Sequence, residues 1–469
     1  MSPAAAAIDT PDLLGTFEAA KAGNNIKSHE EARDVAKDLV PGRWLRRPAC
    51  AAALAALTLL AAACSGAGHS TSQVRPAAAT PKASAAAPAA AVTITPANGV
   101  TDASPSAGIT VTATRGTLKN VIVHTSGEAV SGRLGQSGKV WHSQWALDVS
   151  QAYTVTATAT GSRGGTVTRT STFRTLTPNR TFSTEILEGY DQTYGVGMPV
   201  ILYFSQPITD KAAVERALQI TTSKPVVGAW YWDDPCNMAA TCAYFRPRYY
   251  WPAGTTVSFT GHLNGVQGAP GMYGTHTLTQ TFHIGASLIA IGNTATHRTQ
   301  IYYNGKLRYD WPISSGRPGD NTPNGSYLTI EKENPVLMTG PGSSLEVPWS
   351  VRFTFSGDYY HDAYWSVGEQ GFENVSHGCV NLSPADAETY YKLAIPGDPV
   401  TIVGSPKAGT WDNGWTEWFL SWPQYLQGSA LHEAVVAGPG GSTFVNPSSL
   451  PASTASAPLQ TAPANNSAA

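Results

Sequence analysis

Charge is scarce in this sequence. Only 13% of its 469 residues are Asp, Glu, Lys or Arg, the net charge is −2, and neither a basic run nor an acidic tract stands out. Binding a polyanion needs clustered Lys and Arg, so nothing points to nucleic acid as a partner. A long hydrophobic run is missing too: the longest, Ala49 to Ala63, covers fifteen residues, short of the roughly 20 that a helix needs to span a bilayer. Strongly helical stretches are few, whereas 45 Gly, 33 Pro and much Thr, Ser and Val are present, the profile of an exported, mainly β protein. The length exceeds that of one compact domain.

The apolar run follows the basic stretch Arg43-Trp44-Leu45-Arg46-Arg47 and reads as the core of a signal peptide. It ends Leu60-Ala61-Ala62-Ala63-Cys64, which resembles the lipobox of bacterial lipoproteins, with Ala61 where that pattern prefers Leu. Cys64 is the expected lipidated first residue of a protein held on the outer face of the cytoplasmic membrane; secretion after cleavage at Ala63 is the alternative. Residues 1–42 would make an unusually long leader, as expected if translation starts nearer Arg43.

Composition then divides the chain. Residues 1–64 form the N-terminal extension and signal, and 65–91, made of Ala, Pro, Ser, Thr and Gly, read as a disordered tether that can bury no core. Short alternating runs such as Val92-Thr93-Ile94-Thr95, Ile109 to Ala113, Val121 to His124 and Tyr153 to Ala157 recur about every ten residues, predicting a β-sandwich over 92–178. A second all-β unit covers 179–285, with strands at Pro199 to Phe204 and Thr255 to Thr260. From 286 to 405 strands are predicted at Leu288 to Ile291, Thr299 to Tyr303, Lys306 to Tyr309, Tyr327 to Ile330 and Pro399 to Val403. A helix is expected at Ser383 to Leu393, with Ser383 as cap and Pro384 at its first position. Residues 406–437 are a Trp-rich packing segment, and 438–469, again Ser, Ala, Pro and Asn, read as a disordered tail.

The five cysteines sort by context. Cys50 and Cys64 belong to the signal, and Cys236 and Cys242 are expected to close a small disulfide loop in an oxidising compartment. Cys379 remains, the odd thiol of an exported chain. It stands in Ser376-His377-Gly378-Cys379-Val380-Asn381, and fourteen residues separate His361 from Ser376. A thiol becomes a strong nucleophile when an imidazole takes its proton, so His361 and His377 are both candidate bases. Gly378 leaves room for substrate and permits a tight turn, so that backbone N–H groups around Gly378 and Cys379 can face a developing oxyanion. Asn381 can share a strand face with Cys379 and hold substrate or the loop. Taken singly, a buried filler Cys and structural histidines would be the plainer reading; the conjunction points to acyl transfer. A zinc site from His361, His377 and Cys379 fits no common spacing, and no metal or organic cofactor is called for.

This stretch resembles the signature of the L,D-transpeptidase catalytic domain: His, a spacer of about fourteen to seventeen residues, then Ser/Thr-His-Gly-Cys-x-Asn. Trp365-Ser366-Val367-Gly368, Gly371-Phe372-Glu373-Asn374 and Asn381-Leu382-Ser383-Pro384 are similar to the mycobacterial members. Gly195 to Pro199 and Phe204 to Ile208 resemble the immunoglobulin-like domain that precedes it in actinobacterial members, and the segment from Trp411 resembles their C-terminal subdomain.

The resemblance implies two immunoglobulin-like sandwiches followed by a β-rich catalytic domain. It makes Cys379 the acylated thiol, His361 the proton carrier and His377 a structural or substrate-facing neighbour, with Ser376 and Asn381 shaping the site. Ser356 and Gly357 would contact substrate through their backbone, and Met338 to Trp349 would form a flap over the cleft. Asp362 stands where mycobacterial relatives have Ser; a carboxylate beside the imidazole would raise the histidine pKa and favour a thiolate–imidazolium pair. The implied partners are peptidoglycan stem peptides, with carbapenems as covalent inhibitors. The implied activity is 3→3 cross-linking from tetrapeptide donors. An L,D-carboxypeptidase, another amine-acceptor ligase or a non-catalytic wall-binding protein are the alternatives.

Overall fold

The computed structural model describes residues 90–450 apart from 136, 237, 238, 341 and 342. The predicted signal, Cys64 and the tether as far as residue 89 lie outside the described residues; the tether's expected end at 91 is corrected, since Ala90 is buried in the first unit and Ala91 opens its first strand. What is described is built almost wholly from short strands, in three successive units.

The first unit is the expected sandwich. One sheet carries Ala91–Thr95, Thr110–Thr114, Val140–Ser143 and Gly132–Leu134, and the other Gly116–His124, Ala152–Gly161 and Thr166–Arg174. Alternation decides the faces: in Ala152–Gly161, Tyr153, Val155, Ala157 and Ala159 are buried against Val111 and Phe173. The threonines between them face outward and pair with Thr168, Thr170 and Thr172 across the sheet.

The second unit stacks a four-stranded sheet on a six-stranded one. Its core holds Trp230, Trp251, Phe204, Phe245, Phe259 and Phe282. Cys236 and Cys242 form a disulfide, with 5.8 Å between their Cα atoms. The expected tail corrects here. Ala434–Gly438 and Gly441–Val445 make a hairpin whose first strand pairs with Val226–Asp233, extending the six-stranded sheet. A low-complexity composition hid it, because two five-residue strands become ordered only when a sheet edge pairs with them. Unit two is therefore closed by residues more than 150 positions downstream of its own last strand, Leu278–Ile284.

The third unit packs a five-stranded sheet against a four-stranded one. The first runs Lys306–Pro312, Arg298–Tyr303, Leu288–Asn293, Pro399–Val403, Gly325–Leu328, and the second Glu331–Glu333, Ser350–Arg352, Tyr359–Asp362, Val380–Leu382. The strand expected at Tyr327 to Ile330 begins at Gly325 and ends at Leu328. Thr329 and Ile330 leave it because their N–H groups turn to the carbonyls of Asp398 and Arg352, carrying the chain over to the second sheet. The helix Pro384–Leu393 forms as predicted, with the Ser383 hydroxyl accepting from the Asp386 N–H. Its Ala387 and Tyr390 pack on Tyr360 and Val380, so the helix backs the sheet that carries the candidate site.

The Trp-rich segment is a clasp. Trp415 and Trp418 are buried with Leu187 and Met198 of unit two and Leu328 and Ile330 of unit three. The Trp418 indole donates to Gly197 O at 2.7 Å and meets Tyr250 edge-on at 4.4 Å.

Candidate active site

The site stands on two neighbouring strands of the third unit. Tyr359–Asp362 runs parallel to Val380–Leu382, with Tyr360 opposite Val380 and His361 opposite Asn381. Tyr360, Val380 and Leu382 belong to the core. Period-two alternation then gives the opposite face to Tyr359, His361, Cys379 and Asn381. Cys379 and His361 so share one face, on adjacent strands, two residues out of register.

Cys379 sits where the loop enters its strand, half-buried beside Met338 and the apolar Val336, Val347 and Tyr359. Its thiol donates to Gly357 O at 3.7 Å. Gly378 just before it has φ +138°, and a Cβ there would lie 2.3 Å from Asp358 Oδ1, so both backbone angle and space demand glycine. The loop is fixed by its own hydroxyls: Ser376 Oγ donates to Cys379 O at 2.6 Å and accepts from the Gly378 N–H at 3.2 Å. The Thr322 hydroxyl donates to Gly378 O at 2.6 Å.

One expectation is corrected by this bonding. The Gly378 N–H is engaged by Ser376, so it does not face an oxyanion in this arrangement. Ser376 and Asn381 are 8% and 3% exposed and bond within the loop and its surroundings, the Asn381 amide donating to Ser366 Oγ at 2.9 Å.

His361 is 4% exposed. Its Nδ1 lies 2.7 Å from the backbone carbonyl of Asp362. A carbonyl can only accept, so Nδ1 carries a proton, and in the neutral ring Nε2 then keeps its lone pair. Burial pushes the imidazole pKa down to about 4, and the carbonyl bond offsets only part of that. The expected effect of Asp362 is therefore corrected. It acts through its main chain, its side chain lies on the opposite face of the strand by alternation, and burial raises its own carboxyl pKa. Burial thus favours a neutral base over one half of an ion pair. Trp365 stacks on it, with ring centroids 5.9 Å apart and planes at 29°.

Of the remaining predicted residues, Ser356 is exposed and Gly357, at φ +94°, half-buried on the rim. Ser356 is tied to the Trp-rich segment: its N–H donates to Asn413 Oδ1 at 2.8 Å, and the Asn413 amide donates to its hydroxyl at 2.9 Å. His377 is half-buried in the catalytic loop. The flap is the hairpin Val336–Gly340 and Ser343–Val347, starting two residues before Met338, with Val336 and Val347 buried at its root and Leu337 and Leu345 exposed. Sequence reasoning missed Asp358, Thr322, Trp365 and Asn413. Asp358 accepts from Thr354 and Ser356 and walls in Gly378. Trp365 lies in a stretch that the family resemblance covers but was given no role; the other three have no motif signal of their own, and only their contacts mark them.

Comparison with known proteins agrees with this geometry. Residues 288–402 match a family described as L,D-transpeptidase catalytic domain, and residues 100–267 one described as bacterial Ig domain. L,D-transpeptidase 5 of Mycobacterium tuberculosis is 34% identical over 353 residues, covering 73% of this chain and 78% of that protein. The chain belongs to the L,D-transpeptidase family. L,D-transpeptidase 2 of the same species is 34% identical over 337 residues, covering 69% of this transpeptidase and 81% of that protein. A solved L,D-transpeptidase structure in complex with imipenem is 33% identical and spans 48% of this chain and 100% of that one, at a TM-score of 0.40. The protein is a mainly β peptidoglycan L,D-transpeptidase, a transferase of cell-wall cross-linking.

Proposed function

We propose that this transpeptidase works through a Cys379 acyl-enzyme and forms 3→3 cross-links. One observation carries the reading: His361 stands on the strand paired with Val380–Leu382, whose entry residue is Cys379, with the imidazole Nδ1 tied to a carbonyl so that Nε2 of the neutral ring can accept a proton. The thiol sulfur attacks the carbonyl joining the third stem residue to the terminal D-Ala, and its proton passes to His361 Nε2. The C–N bond breaks, D-Ala leaves with that proton, and a thioester remains on Cys379. The side-chain amine of a second stem then attacks the thioester carbonyl. His361 takes the amine proton and returns it to the departing thiolate.

A neutral base suits this sequence, because a histidine already protonated could accept nothing in the first step. Proton transfer concerted with attack then replaces a standing ion pair. Carbapenems acylate the same thiol by ring opening, in line with the imipenem complex of a relative.

The protein is an exported lipoprotein anchored through Cys64 on the outer face of the cytoplasmic membrane, with the two sandwiches as spacers. The Cys236–Cys242 disulfide supports an oxidising compartment. Radiolabelled palmitate incorporated by the wild type and lost in Cys64→Ala tests the anchor; equal labelling of both refutes it. Intact-protein mass after mixing with a tetrapeptide stem, and separately with a carbapenem, tests the chemistry. The protein used must retain residues 434–450, since the hairpin there is part of the second unit. An adduct absent from Cys379→Ala and slowed in His361→Ala supports the acyl-enzyme, and no adduct in the folded wild type overturns it. Product analysis with an acceptor stem separates cross-linking from hydrolysis.

A further inference from the structure

A second cavity, of about 220 Å³, lies far along the chain from the catalytic loop, where the first sandwich meets the second. The joint around it is tight. Trp145 of the first unit stacks on His262 of the second, with ring centroids 3.9 Å apart and planes 12° from parallel. Ser106 Oγ donates to Gly265 O at 3.0 Å and the Val149 N–H to Asn264 Oδ1 at 3.3 Å. A Cβ on Gly265 would fall 1.8 Å from Leu147 O. The cavity is thus preformed by two locked domains, the setting in which ligand pockets are common.

Its chemistry is one-sided. Glu128 and Asp148 both line it, and no Lys or Arg does. The Glu128 N–H donates to Asp148 Oδ2 at 2.9 Å, and Thr277 of the second unit donates to Glu128 Oε2 at 2.9 Å, so each carboxylate has one hydrogen-bond tether, with Glu128 exposed at the mouth and Asp148 partly buried. Among the described residues neither takes part in an ion pair. Partial burial, with a smaller part from the charge of Glu128, pushes the Asp148 pKa up. Burial holds His262 to the neutral side, so it supplies none. The remaining walls include Val130, Leu147 and the Trp145 ring. Two carboxylates, an aromatic face and a short apolar wall together suit a cation on a few methylenes.

We propose that this joint binds a primary alkyl ammonium, the group at the end of the diamino-acid side chain of an unreacted stem. The identity of that source rests on the proposed cross-linking reaction. Cross-linking turns this amine into an amide and removes its charge, so the site would hold stems still able to act as acceptors and pass over those already joined.

The test uses the protein with Cys379 first acylated by a carbapenem, checked by mass, so that the catalytic cleft is blocked. Failure of that step counts against the acyl-enzyme and leaves the joint to be measured on its own. Calorimetric titration then compares a stem tripeptide bearing a free side-chain amine, the same tripeptide acetylated there, and 1,5-diaminopentane. The free-amine tripeptide is expected to bind at least tenfold more tightly than the acetylated one, and the preference to vanish in Glu128→Gln/Asp148→Asn. Tighter binding of the tripeptide than of the diamine assigns the wall as source, and the reverse order assigns a soluble diamine. Equal binding of free and acetylated tripeptides to the wild type, or an undiminished preference in the double variant, overturns the proposal. The first comparison needs no variant, so misfolding of the double variant cannot mask the answer.

Discussion

The catalytic cleft and the clasp between the second and third units both bury ionisable groups, and they do so with opposite results. In the cleft a single imidazole is buried against a backbone carbonyl, and its pKa falls to about 4. In the clasp Glu188 and Glu417 are buried without a salt bridge among the described residues, and their carboxyl pKa values rise to about 8 and about 7. Nearby, Arg246 is enclosed by Trp418 at 4.3 Å and Tyr425 at 4.2 Å. Both regions exclude water and both favour the neutral form. In the cleft neutrality produces a base ready to accept a proton; in the clasp it lets carboxyls sit in a nearly dry interface as hydrogen-bonding acids. The same desolvation serves chemistry in one place and assembly in the other.

Substitutions that separate the two regions are therefore the sharpest tests. Cys379→Ala should abolish stem and carbapenem adducts, a loss of about 10⁴-fold or more in acyl transfer, with the melting temperature nearly unchanged. Trp418→Ala should do the reverse. It removes a buried ring, its bond to Gly197 O and its stack against Tyr250, which costs about 3–5 kcal/mol of stability by denaturant titration, while acylation per folded molecule stays close to wild type.

The opposite pKa shifts predict opposite pH limbs. The unfolded His361 binds a proton near pH 6.5 and the folded one near pH 4, so its contribution is present above the unfolded value and lost as pH falls toward 4, by about 3 kcal/mol. For Glu417 the folded value exceeds the unfolded one, so stability is present below about pH 4.5 and lost as pH rises through about 7, by a similar amount of about 3 kcal/mol. Denaturant titration from pH 4 to 8 should show His361→Asn gaining relative stability on the acid side and Glu417→Gln on the alkaline side. Identical pH profiles for both variants and the wild type would sink the comparison. Gly378→Ala should cost about 1–3 kcal/mol from φ strain, with the close approach of a Cβ to Asp358 Oδ1 added to it, read by thermal melts; because the strain sits beside the thiol, carbapenem acylation should slow as well.

Legibility followed sequence distance. The catalytic stretch could be read because Ser376, Gly378, Cys379 and Asn381 work within six consecutive residues, and His361 joins through one strand pairing. The helix at Pro384–Leu393 was legible from its cap for the same reason. The sandwich strands were legible from alternation alone. What stayed hidden joins distant residues: Trp418 to Gly197, Arg246 to Leu420, and Ser429 to the buried Glu215, pairs 174 to 221 positions apart. The hairpin of Ala434–Gly438 and Gly441–Val445 buries Ala434, Val435 and Ala437, yet two five-residue strands do not announce their partner, since their order comes from the sheet they join. Asp362 misled because residue type suggested a carboxylate effect, whereas strand alternation turned that carboxylate away and left only the main-chain carbonyl facing the imidazole.

By itself the sequence determined the chemistry on offer, a thiol after glycine with histidines nearby, and the β character of the chain, because both are written in local spacing and period-two patterns. Only the tertiary structure decided which ring nitrogen of His361 meets a carbonyl, that burial favours its neutral form, and that the Gly378 N–H belongs to Ser376. It also decided that the chain returns to close the second unit. Those outcomes depend on burial and on contacts between strands, and neither exists until the chain has folded.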